Sequence, residues 1–437
     1  MSKKIQYMLQ SLTYCILFFC SLQCISAQTI IGYGWAKNAV NTTIFRKNSV
    51  VSGKGFQFVS YYDSVGNVVI AKRKLNTQDW QVKQTQFKGN VKDAHNVISM
   101  MIDGKGFLHL SWNHHGNQLH YAKSKQPLSL DFSNEMPMLG KQEQKVTYPE
   151  FLKFSNGDVL FLYRDGSSGN GNLVMNKYST KTQQWQRLQD VLIDGENKRN
   201  AYWQACIDAK DNIHIAWVWR ESADVASNHD MCYTISKDKG ASWQKSNGEI
   251  YQLPITEKSA EVVAKIPQNS ELINQTSITT DEKGTPFIAT YFKNKNSNIP
   301  QYQLIYWDQQ QWNIQQISER TTPFSLSGTG TKKIPIARPV VIAYQQKKKT
   351  CITVLCRDEE RGSVASAYTT TNLSTNKWII EDLNYTSLGN WEPSYDTELF
   401  KQKKQLHIFI QRTGQGDGEK LENIAAQPVS IIEKKLP

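Results

Sequence analysis

The sequence lacks the features of several large protein classes. Beyond its N-terminus, the 437-residue chain contains no long hydrophobic run, so no membrane-spanning helix is expected. It shows no amphipathic helix of convincing length, no Pro/Ser-rich linker and no break in composition. These absences favour one large domain that is not helical, although a chain of this length could also hold two or three domains.

Cysteine is scarce as well. Of the seven cysteines, three lie in the N-terminal segment, at Cys15, Cys20 and Cys24. The other four are Cys206, Cys232, Cys351 and Cys356. Four cysteines in so long a chain do not make a disulfide scaffold, so one disulfide or a few buried thiols are expected.

One cysteine raises the question of a metal. The stretch His229-Asp-Met-Cys232 has the H-x-x-C spacing, and Cys206 is close in sequence. Two or three ligands without a clear fourth are weak support for zinc. We favour a buried thiol beside a hydrogen-bonded histidine. A structural metal ion is the alternative, and no cofactor is required.

The N-terminus has the pattern of a secretory signal peptide. Lysines precede an apolar run over residues 15–20, and a small-residue exit ends at Ala27. We therefore predict a signal peptide over residues 1–27 and a secreted or periplasmic protein. Cys24 would allow a lipid anchor, but Gln23 before it is a poor residue for that processing.

The charge is strongly positive. Lys and Arg number 51 and Asp and Glu number 39, which gives a net charge of +12 and a pI of about 9.1. An exported basic protein favours an anionic partner. Because the chain has no basic helix, zinc knuckle or RNA-binding aromatic motif, an anionic glycan suits it better than nucleic acid. We predict a monomer that binds an anionic polysaccharide or oligosaccharide.

Short β-branched and aromatic runs recur between Gly, Asn and Asp turns, which is typical of strands. The stretch from Asp103 to Trp112, DGKGFLHLSW, is echoed from Asp208 to Trp217, DAKDNIHIAW, and more weakly from Asp281 to Tyr291. A turn followed by an apolar strand, repeated, is the unit of a propeller blade. We predict that residues 28–437 form a single all-β propeller of about seven blades, with six or eight as alternatives.

A sharper motif runs from Ser236 to Trp243, S-K-D-K-G-A-S-W. It matches the Asp-box of bacterial-neuraminidase-repeat propellers, in which Asp238 and Gly240 would form a tight hairpin. The box predicts the fold and not a sialidase, because a sialidase also needs three clustered arginines with a Tyr/Glu pair, and that set is not found.

Histidines are concentrated, with five of the eight between His95 and His120. His109 alternates with leucines within a strand, so we expect it to be packed, as is its counterpart in the echo. His95, His114 and His115 lie in turn-like Asn/Gly surroundings at strand ends, where propeller sites are built. Three such histidines within a short stretch are functional candidates.

Two further stretches carry polar and aromatic groups. T-Y-P-E-F contains Tyr148, and Y-R-D-G-S-S-G-N-G contains Arg164. The glycine-rich stretch opens no helix, so we expect its small residues to admit a substrate rather than bind phosphate. Tyr202, Trp203 and Arg220 could stack on sugars and hold carboxylate or sulfate, although a tryptophan in the blade core is the alternative.

Together, D-A-H-N-x-x-S, H-H, T-Y-P-x-F, Y-R-x-G-x-S-G-x-G and Y-W-Q resemble the BNR-4 propellers of polysaccharide-degrading bacteria, from about residue 34 onward. That family includes ulvan lyases, rhamnose–glucuronate lyases and an exo-α-L-rhamnosidase branch. The resemblance implies seven blades and the catalytic residues His95, His115, Tyr148 and Arg164. It adds Tyr202 as a further site tyrosine. We predict Tyr202, His114, Asn96, Trp203 and Arg220 as substrate contacts. Which of the two adjacent histidines faces the site stays open.

These residue types suit β-elimination at a uronate, which removes the C5 proton and expels the group on O4. The proton is acidic enough only when the neighbouring carboxylate is neutralised, and Arg164 can do that. His95 or Tyr148 can take the proton while the other protonates the leaving oxygen. His115 can orient this pair or contact the carboxylate, and no metal is needed.

Three alternatives stay open. If the leaving group is a free hydroxyl, the same chemistry makes an oligosaccharide dehydratase. In the rhamnosidase branch, the resemblance places a catalytic histidine early in the domain on the opposite face. Here no histidine precedes His95, and the matching residues 41–49 read NTTIFRKNS. A non-catalytic glycan-binding propeller is the third. No clear carboxylate pair is found, which argues against ordinary glycoside hydrolysis, although Asp93, Glu150 and Asp165 are near in sequence.

Overall fold

The computed structural model describes residues 28–275 and 277–436, so the predicted signal peptide over residues 1–27 lies outside the described residues. Within the described ranges, nearly all regular structure is β-strand, with one short α-helix. No helix there is long and apolar enough to cross a membrane. The all-β class predicted from the sequence is confirmed.

The strands, in chain order, are β1 (Gln28–Gly34), β2 (Val50–Gly53), β3 (Phe56–Tyr62), β4 (Asn67–Lys74), β5 (Gln81–Lys88), β6 (Ile98–Ile102), β7 (Leu108–Trp112), β8 (His115–Asn117), β9 (Tyr121–Lys123), β10 (Val146–Lys153), β11 (Val159–Ser167), β12 (Asn170–Ser179), β13 (Gln184–Ile193), β14 (Asn200–Ile207), β15 (Ile213–Arg220), β16 (Asn228–Ser236), β17 (Glu261–Ala264), β18 (Ser277–Thr280), β19 (Pro286–Lys293), β20 (Pro300–Trp307), β21 (Trp312–Gln316), β22 (Val340–Gln346), β23 (Lys349–Arg357), β24 (Ala365–Thr370), β25 (Ile379–Asp382), β26 (Ser394–Tyr395), β27 (Gln405–Ile410) and β28 (Gln427–Lys435). The helices are α1 (Thr397–Lys403) and four 3-10 turns at Val225–Ser227, Glu359–Arg361, Leu373–Thr375 and Asp417–Glu419.

These strands form six sheets in which hydrogen-bonded neighbours are mostly consecutive in sequence. Five sheets have the orders β2-β3-β4-β5, β6-β7-β9, β18-β19-β20-β21, β22-β23-β24-β25 and β1-β28-β27-β26. The sixth contains nine strands: the meanders β10–β13 and β14–β17, with β8 added at the edge of β10. A parallel pair, Gly171 with Asn200, joins strands of its two meanders.

The first strands of successive sheets or meanders contact one another in the order of the chain. β2 contacts β6, β6 contacts β10, β10 contacts β14, β14 contacts β18, and β18 contacts β22. β2 also contacts β26 and β27 near the other end of the chain, and β1 completes the sheet of the last three strands. Connections at the ends of these strands are therefore brought close together even when they are far apart in sequence.

The predicted repeat is a recurring turn. The carboxylates of Asp103, Asp208 and Asp281 each accept hydrogen bonds from the backbone N–H groups two and four residues later, at 2.8–3.0 Å. His109 and His214 place Nε2 3.4 and 3.3 Å from the first two of these carboxylates, and both histidines are fully buried. His109 is thus a packed strand residue, as predicted.

The Asp-box forms the same kind of local turn. The Asp238 carboxylate accepts hydrogen bonds from the Ser236 hydroxyl and the Ser242 backbone N–H, both at 2.8 Å. Gly240 has φ +96°, a conformation that favours glycine, and Trp243 is buried. The motif is structural, as predicted from the sequence.

The core lies within and between neighbouring sheets and is rich in tryptophan. The tryptophans that are less than 2% exposed are Trp112, Trp217, Trp219, Trp243 and Trp391. The four cysteines of the described part are free thiols, and three of them are buried. The expectation of buried thiols therefore holds for these residues.

Candidate active site

The four residues predicted to be catalytic, His95, His115, Tyr148 and Arg164, line one cavity of about 210 Å³. Its other polar lining residues are Ser168, Tyr202, Arg220, Asn274, Thr329, Thr331, Lys332 and Arg338. Among the described residues that line the cavity, none is Asp or Glu. The cavity is therefore cationic, and its carboxylates stand behind the lining.

Tyr148 is carried into the cavity by an irregularity in β10. The pairing of β10 with β11 shifts register between Thr147 and Glu150, and Tyr148 has φ +57°. A residue before proline is normally extended, and a non-glycine residue in the left-handed region costs about 1–2 kcal/mol. The ring packs edge-on against Phe45 and Tyr202, with centroids 5.2 and 5.8 Å away. Strain of this kind persists where packing over-determines it, often at functional sites.

The two cavity histidines share one carboxylate. His95 Nδ1 lies 2.8 Å from Asp93 Oδ1, and His115 Nδ1 lies 2.6 Å from Asp93 Oδ2. The two imidazole rings stack with centroids 4.0 Å apart and planes 15° from parallel. Phe45 also stacks on His95, with a centroid distance of 5.3 Å. The carboxylate and the stack fix the orientation of both imidazoles.

A second carboxylate reaches the same nitrogen. Glu419 Oε1 lies 3.2 Å from His95 Nδ1. Burial lowers the pKa of His95, but the hydrogen bonds and charges of Asp93 and Glu419 outweigh it and raise the pKa to about 9. Burial likewise opposes ionisation of Asp93, yet its bonds to the two histidines hold the pKa of that carboxyl well below its usual range. His95 is therefore an imidazolium at neutral pH.

Arg164 presents unpaired donors within the protein. It is 1% exposed, and its Nη2 donates a 3.0 Å hydrogen bond to Thr147 Oγ1. Its Nε and Nη1 have no protein partner, and the guanidinium carbon lies 4.9 Å from the centre of the Tyr148 ring. A buried guanidinium with free donors in a cavity wall fits an anionic ligand group, since buried polar groups are otherwise satisfied.

The two cavity tyrosines differ in acidity. Burial raises the pKa of Tyr202, but the charges of Arg220 and Arg164, with hydrogen bonds from Ser168 and Asn200, lower it overall to about 8. The Tyr202 hydroxyl lies 3.1 Å from Ser168 Oγ. For Tyr148, burial outweighs the nearby cations, so its pKa stays above the ordinary value. Tyr202 is the tyrosine that ionises more readily.

Three predicted substrate contacts lie outside the cavity lining. The Asn96 side chain donates to the Asn90 carbonyl at 2.9 Å and so braces its own loop. His114 is fully buried, and its Nε2 accepts the His120 backbone N–H at 2.7 Å, so His115 is the member of the pair that faces the cavity. Trp203 packs edge-on behind Tyr148, with centroids 6.3 Å apart.

Among the residues that the structure describes, the candidate metal pair His229 and Cys232 is not part of a close group of three or more metal-ligating side chains. The two ring nitrogens of His229 lie 2.8 Å from Glu221 and 3.1 Å from Asp230, while Cys232 is fully buried, and burial raises its thiol pKa. Among the described residues, Asp93, His95 and His115 do form a close group. Their rings are nearly parallel and each Nδ1 faces its own Asp93 oxygen, so the nitrogen lone pairs do not converge and the group is a hydrogen-bonded set.

Sequence reasoning missed several cavity residues. Phe45, Lys332 and Arg338 line the cavity from distant parts of the chain, and Glu419 stands behind His95. Arg338 is paired with Glu392 by contacts of 2.6–3.0 Å, so its charge is compensated. Only Asp93, two residues before His95 in the D-A-H motif, carried a local signal.

The comparisons with known proteins agree with this architecture. The sequence model of a family described as "BNR repeat-containing family member" matches residues 56–320. The chain therefore belongs to this family. Its fold is that of solved polysaccharide lyases: the structure of a polysaccharide lyase, Uly1, aligns with a TM-score of 0.70 at 13% identity, covering 94% of this chain and 99% of the other. A PL25 ulvan lyase structure aligns with a TM-score of 0.66 at 15% identity, covering 93% and 95%.

The alignments with curated relatives cover a smaller part of this chain than the structural alignments do. An ulvan lyase of Nonlabens ulvanivorans is 22% identical over 341 residues, which are 64% of this chain and 67% of the relative. An ulvan lyase of Alteromonas sp. (strain LOR) is 22% identical over 329 residues, covering 64% and 66%. The aligned parts thus span about two thirds of the length of these relatives.

Proposed function

We propose that this chain is a carbon–oxygen lyase that acts by β-elimination on a uronate of an anionic, rhamnose-containing glycan such as ulvan. The observation that carries the proposal is the cavity that combines the free donors of Arg164 with His95, His115, Tyr148 and Tyr202. The names of the curated relatives, ulvan lyases, support the same reaction class.

The charge of the cavity supports the proposed substrate class. Arg164, Arg220 and Lys332 line it together with the paired Arg338, and no described lining residue is acidic. Such a lining favours a ligand with a carboxylate and further anionic groups such as sulfate. Glycoside hydrolysis through two carboxylates has no matching pair in this lining.

The pKa values of the cavity residues support a narrower proposal for the acid and the base than the sequence does. His95, with a pKa of about 9, is already protonated at neutral pH, so it suits protonation of the leaving oxygen. Tyr202, with a pKa of about 8, is the better acceptor for the C5 proton. The sequence offered His95 or Tyr148 as the base, and we propose Tyr202 in place of both.

The reaction balances with these groups. Arg164 binds the uronate carboxylate, and Tyr202 as phenolate takes the C5 proton. The C5–H electron pair forms the C4=C5 bond, the C4–O4 bond breaks, and His95 gives its proton to the departing oxygen. Tyr148, which stays protonated, donates a hydrogen bond to the carboxylate or leaving oxygen. His115 holds the Asp93 carboxylate that bridges the Nδ1 atoms of the two stacked imidazoles.

The test is a spectrophotometric assay with ulvan oligosaccharides, because the unsaturated product of this acid–base reaction absorbs near about 235 nm. We expect absorbance from the wild type and a loss of roughly 10²–10³-fold in kcat/KM for Arg164→Gln, as for removal of one preorganised donor. Arg361→Gln is the control, since Arg361 pairs with Asp382 away from the cavity. Unchanged melting of both variants would show intact folding.

The outcomes of this assay separate the alternatives. Absorbance with chain cleavage indicates a lyase. Free rhamnose without absorbance would establish a rhamnosidase, and tight glycan binding without any product would establish a binding module. An Arg164→Gln variant as active as the Arg361→Gln control would refute the assigned role of Arg164.

A dehydratase is the second candidate, and the size of the cavity favours it. About 210 Å³ is small beside the roughly 300–1,000 Å³ of ordinary ligand pockets, so one or two sugar units fit better than a long chain. Residues 328–332, which we name the wall loop, line the cavity through their last four members, and the Gly328 N–H donates to Asp224 Oδ1 at 2.7 Å. A cavity of this volume suits a single non-reducing-end uronate, whose 4-hydroxyl leaves as water. Mass spectrometry would show loss of one water without cleavage.

The rhamnosidase alternative has less support. A larger cavity of about 450 Å³ is lined by Lys47, Glu150 and Gln204 among others, and no histidine occurs among its described lining residues. The histidine that the resemblance associates with that branch therefore has no counterpart there. Release of rhamnose by the Arg164→Gln variant at the wild-type rate would support this alternative.

We also infer that residues 28–437 form one seven-bladed propeller. The support is the number of meanders, five in separate sheets and two in the nine-stranded sheet, and the ordered contacts from β2 to β22 and from β2 to β26. An experimental structure would test the blade count. Export through residues 1–27 and a monomeric state stay predictions, which N-terminal sequencing of the extracellular protein and light scattering would check.

A further inference from the structure

The Glu419 carboxylate joins three separate segments of the chain. Its Oε2 accepts a hydrogen bond from the Ala94 backbone N–H at 3.0 Å. Its Oε1 accepts the Thr331 backbone N–H at 2.7 Å and lies 3.2 Å from His95 Nδ1. One side chain near the C-terminus thus contacts the loop of the proposed acid and the wall loop of the cavity.

The backbone at this point is held in an unusual conformation. Glu419 has φ +67°, and Gly418 before it has φ +64°. The left-handed region costs a non-glycine residue about 1–2 kcal/mol. The Gly418 N–H donates to the Thr331 carbonyl at 3.0 Å, so the turn and the wall loop are also joined through their backbones. Residues held in this way cluster where their side chains have a function.

We propose that Glu419 is a positioning residue of the active site, which holds the His95 imidazole in its cationic, correctly oriented form and seats the wall loop. The inference rests on the proposed function for its catalytic consequence, but its effect on His95 is a property of the free protein. Glu419 does not line the cavity, so it acts through His95 and Thr331 and not on substrate.

The surroundings of His95 show why a second carboxylate matters. The charged or titratable groups that face it are Asp93, Glu419, His115, Tyr148, and, across the cavity, Arg164, Lys332 and Arg338. The cations disfavour an imidazolium, and Asp93 is shared with His115. Glu419 contacts His95 and not His115. Without the charge of Glu419, His95 is left with Asp93, whose charge also stabilises His115.

Substitution can separate the charge of Glu419 from its tie to the wall loop. In Glu419→Gln the amide oxygen can still accept the backbone N–H of Thr331, but the negative charge and the acceptor for the Ala94 N–H are lost. In Glu419→Ala all three contacts are lost, so the wall loop loses its tie as well. We therefore expect the glutamine variant to change kcat and its pH profile, and the alanine variant to raise KM in addition.

The experiment is an NMR titration of the His95 imidazole in the free, full-length mature protein, with the resonance assigned by its absence in His95→Asn. We expect Glu419→Gln to lower the pKa of His95 by about 1 or more, as for loss of a nearby opposite charge. Glu419→Asp, which keeps the charge on a shorter stem, should fall between the two. Glu422→Gln is the matched control, because Glu422 faces Lys333 and Gln415 and not His95.

In the elimination assay, Glu419→Gln should lose about tenfold in kcat at alkaline pH relative to neutral pH, since the unprotonated His95 cannot supply a proton. A His95 pKa equal in the wild type and in both the Gln and Asp variants would overturn the proposal. A lowered pKa in a protein that shows no elimination on any uronate glycan would refute the proposed function alone. If Glu419→Gln does not fold, the Asp variant still decides the question through its pKa.

Discussion

An Asp–His pair occurs in two parts of this molecule, the strand turns and the cavity. In the turn, His109 Nε2 lies 3.4 Å from Asp103, the ring is fully buried, and its Nδ1 lies 2.8 Å from the Tyr121 hydroxyl. In the cavity, His95 Nδ1 lies 2.8 Å from Asp93 and 3.2 Å from a second carboxylate. Burial lowers the pKa of His109, whereas the carboxylates raise that of His95 to about 9.

The difference shows that an Asp–His pair does not by itself set the charge of the histidine. With one distant carboxylate, the cost of burying the imidazolium is the larger effect, so the turn histidine is neutral and structural. With two carboxylates at one nitrogen, attraction outweighs burial, and the cavity histidine is held as a cation that can give up a proton. The same residue types therefore build a fold element in one place and an acid in the other.

Replacing Asp93 in the cavity and Asp103 in the turn by asparagine should give the largest difference in activity between the two Asp–His pairs. Asp93→Asn removes the charge shared by His95 and His115, so we expect kcat/KM to fall about 10²–10³-fold, as for the loss of general acid catalysis. The elimination assay at neutral pH measures this. A loss of about 1–3 kcal/mol in the free energy of unfolding is expected as well, because Asp93 also accepts the His95 backbone N–H at 2.9 Å.

Asp103→Asn is the matched change in the turn. Its carboxylate accepts two backbone hydrogen bonds, so we expect a loss of about 1–3 kcal/mol in the free energy of unfolding. Activity per folded molecule should stay within about twofold of the wild type, since this turn does not border the cavity. Equal losses of activity in the two variants would contradict the division into structural and functional pairs.

The pH dependence of stability offers a second contrast. The folded-state pKa of His95, about 9, is above its ordinary value of 6.5, so its contribution is fully present below pH 6.5 and is lost as pH rises through 9. His109 has a lowered folded-state pKa, so its contribution is present above pH 6.5 and is lost as pH falls through that lowered pKa. As pH rises, the contribution of His95 to stability therefore falls, whereas that of His109 rises.

Urea unfolding of the wild type and of His95→Asn at pH 6, 7.5 and 9 would measure this difference. We expect the stability advantage of the wild type over the variant to shrink between pH 6.5 and 9. The difference between the two proteins is needed because Tyr202, with a folded-state pKa of about 8, below its ordinary value of 10, gains stability as pH rises over part of this range. A constant advantage across all three pH values would show that His95 is not held as a cation.

Local sequence was sufficient for the turns and for part of the site. Asp103, Asp208 and Asp281 bond to N–H groups only two and four residues away, so the repeat could be read without tertiary information. His95, His115, Tyr148 and Arg164 lie within seventy residues, which explains why their motifs could be grouped. The last three lie on the neighbouring strands β8, β10 and β11, and His95 lies in the turn before β6.

The rest depends on contacts across the chain. Glu419 reaches His95 over more than three hundred residues, and the D-G-E-K sequence around it gives no indication of this. His115 begins the three-residue strand β8 and pairs with Thr147, which turns His114 to the opposite side, and so short a strand carries no recognisable period. Convergence of distant loops could not be predicted from residue patterns.

The smallest expected effect concerns the hydroxyl that completes the turn pair. The Tyr121 hydroxyl lies 2.8 Å from Nδ1 of the buried His109, and Tyr233 plays the same part for His214 at 2.7 Å. Tyr121→Phe should therefore cost about 0.5–1.5 kcal/mol of unfolding free energy, the net worth of one hydrogen bond, and Tyr233→Phe a similar amount. Denaturant titration measures both, and elimination activity should not change. A larger loss in one variant would mean that the two turns are not equivalent. Both variants keep the aromatic ring and its packing and remove only the hydrogen bond to the neutral histidine. A loss of activity would therefore mean that the turn pair is coupled to the cavity.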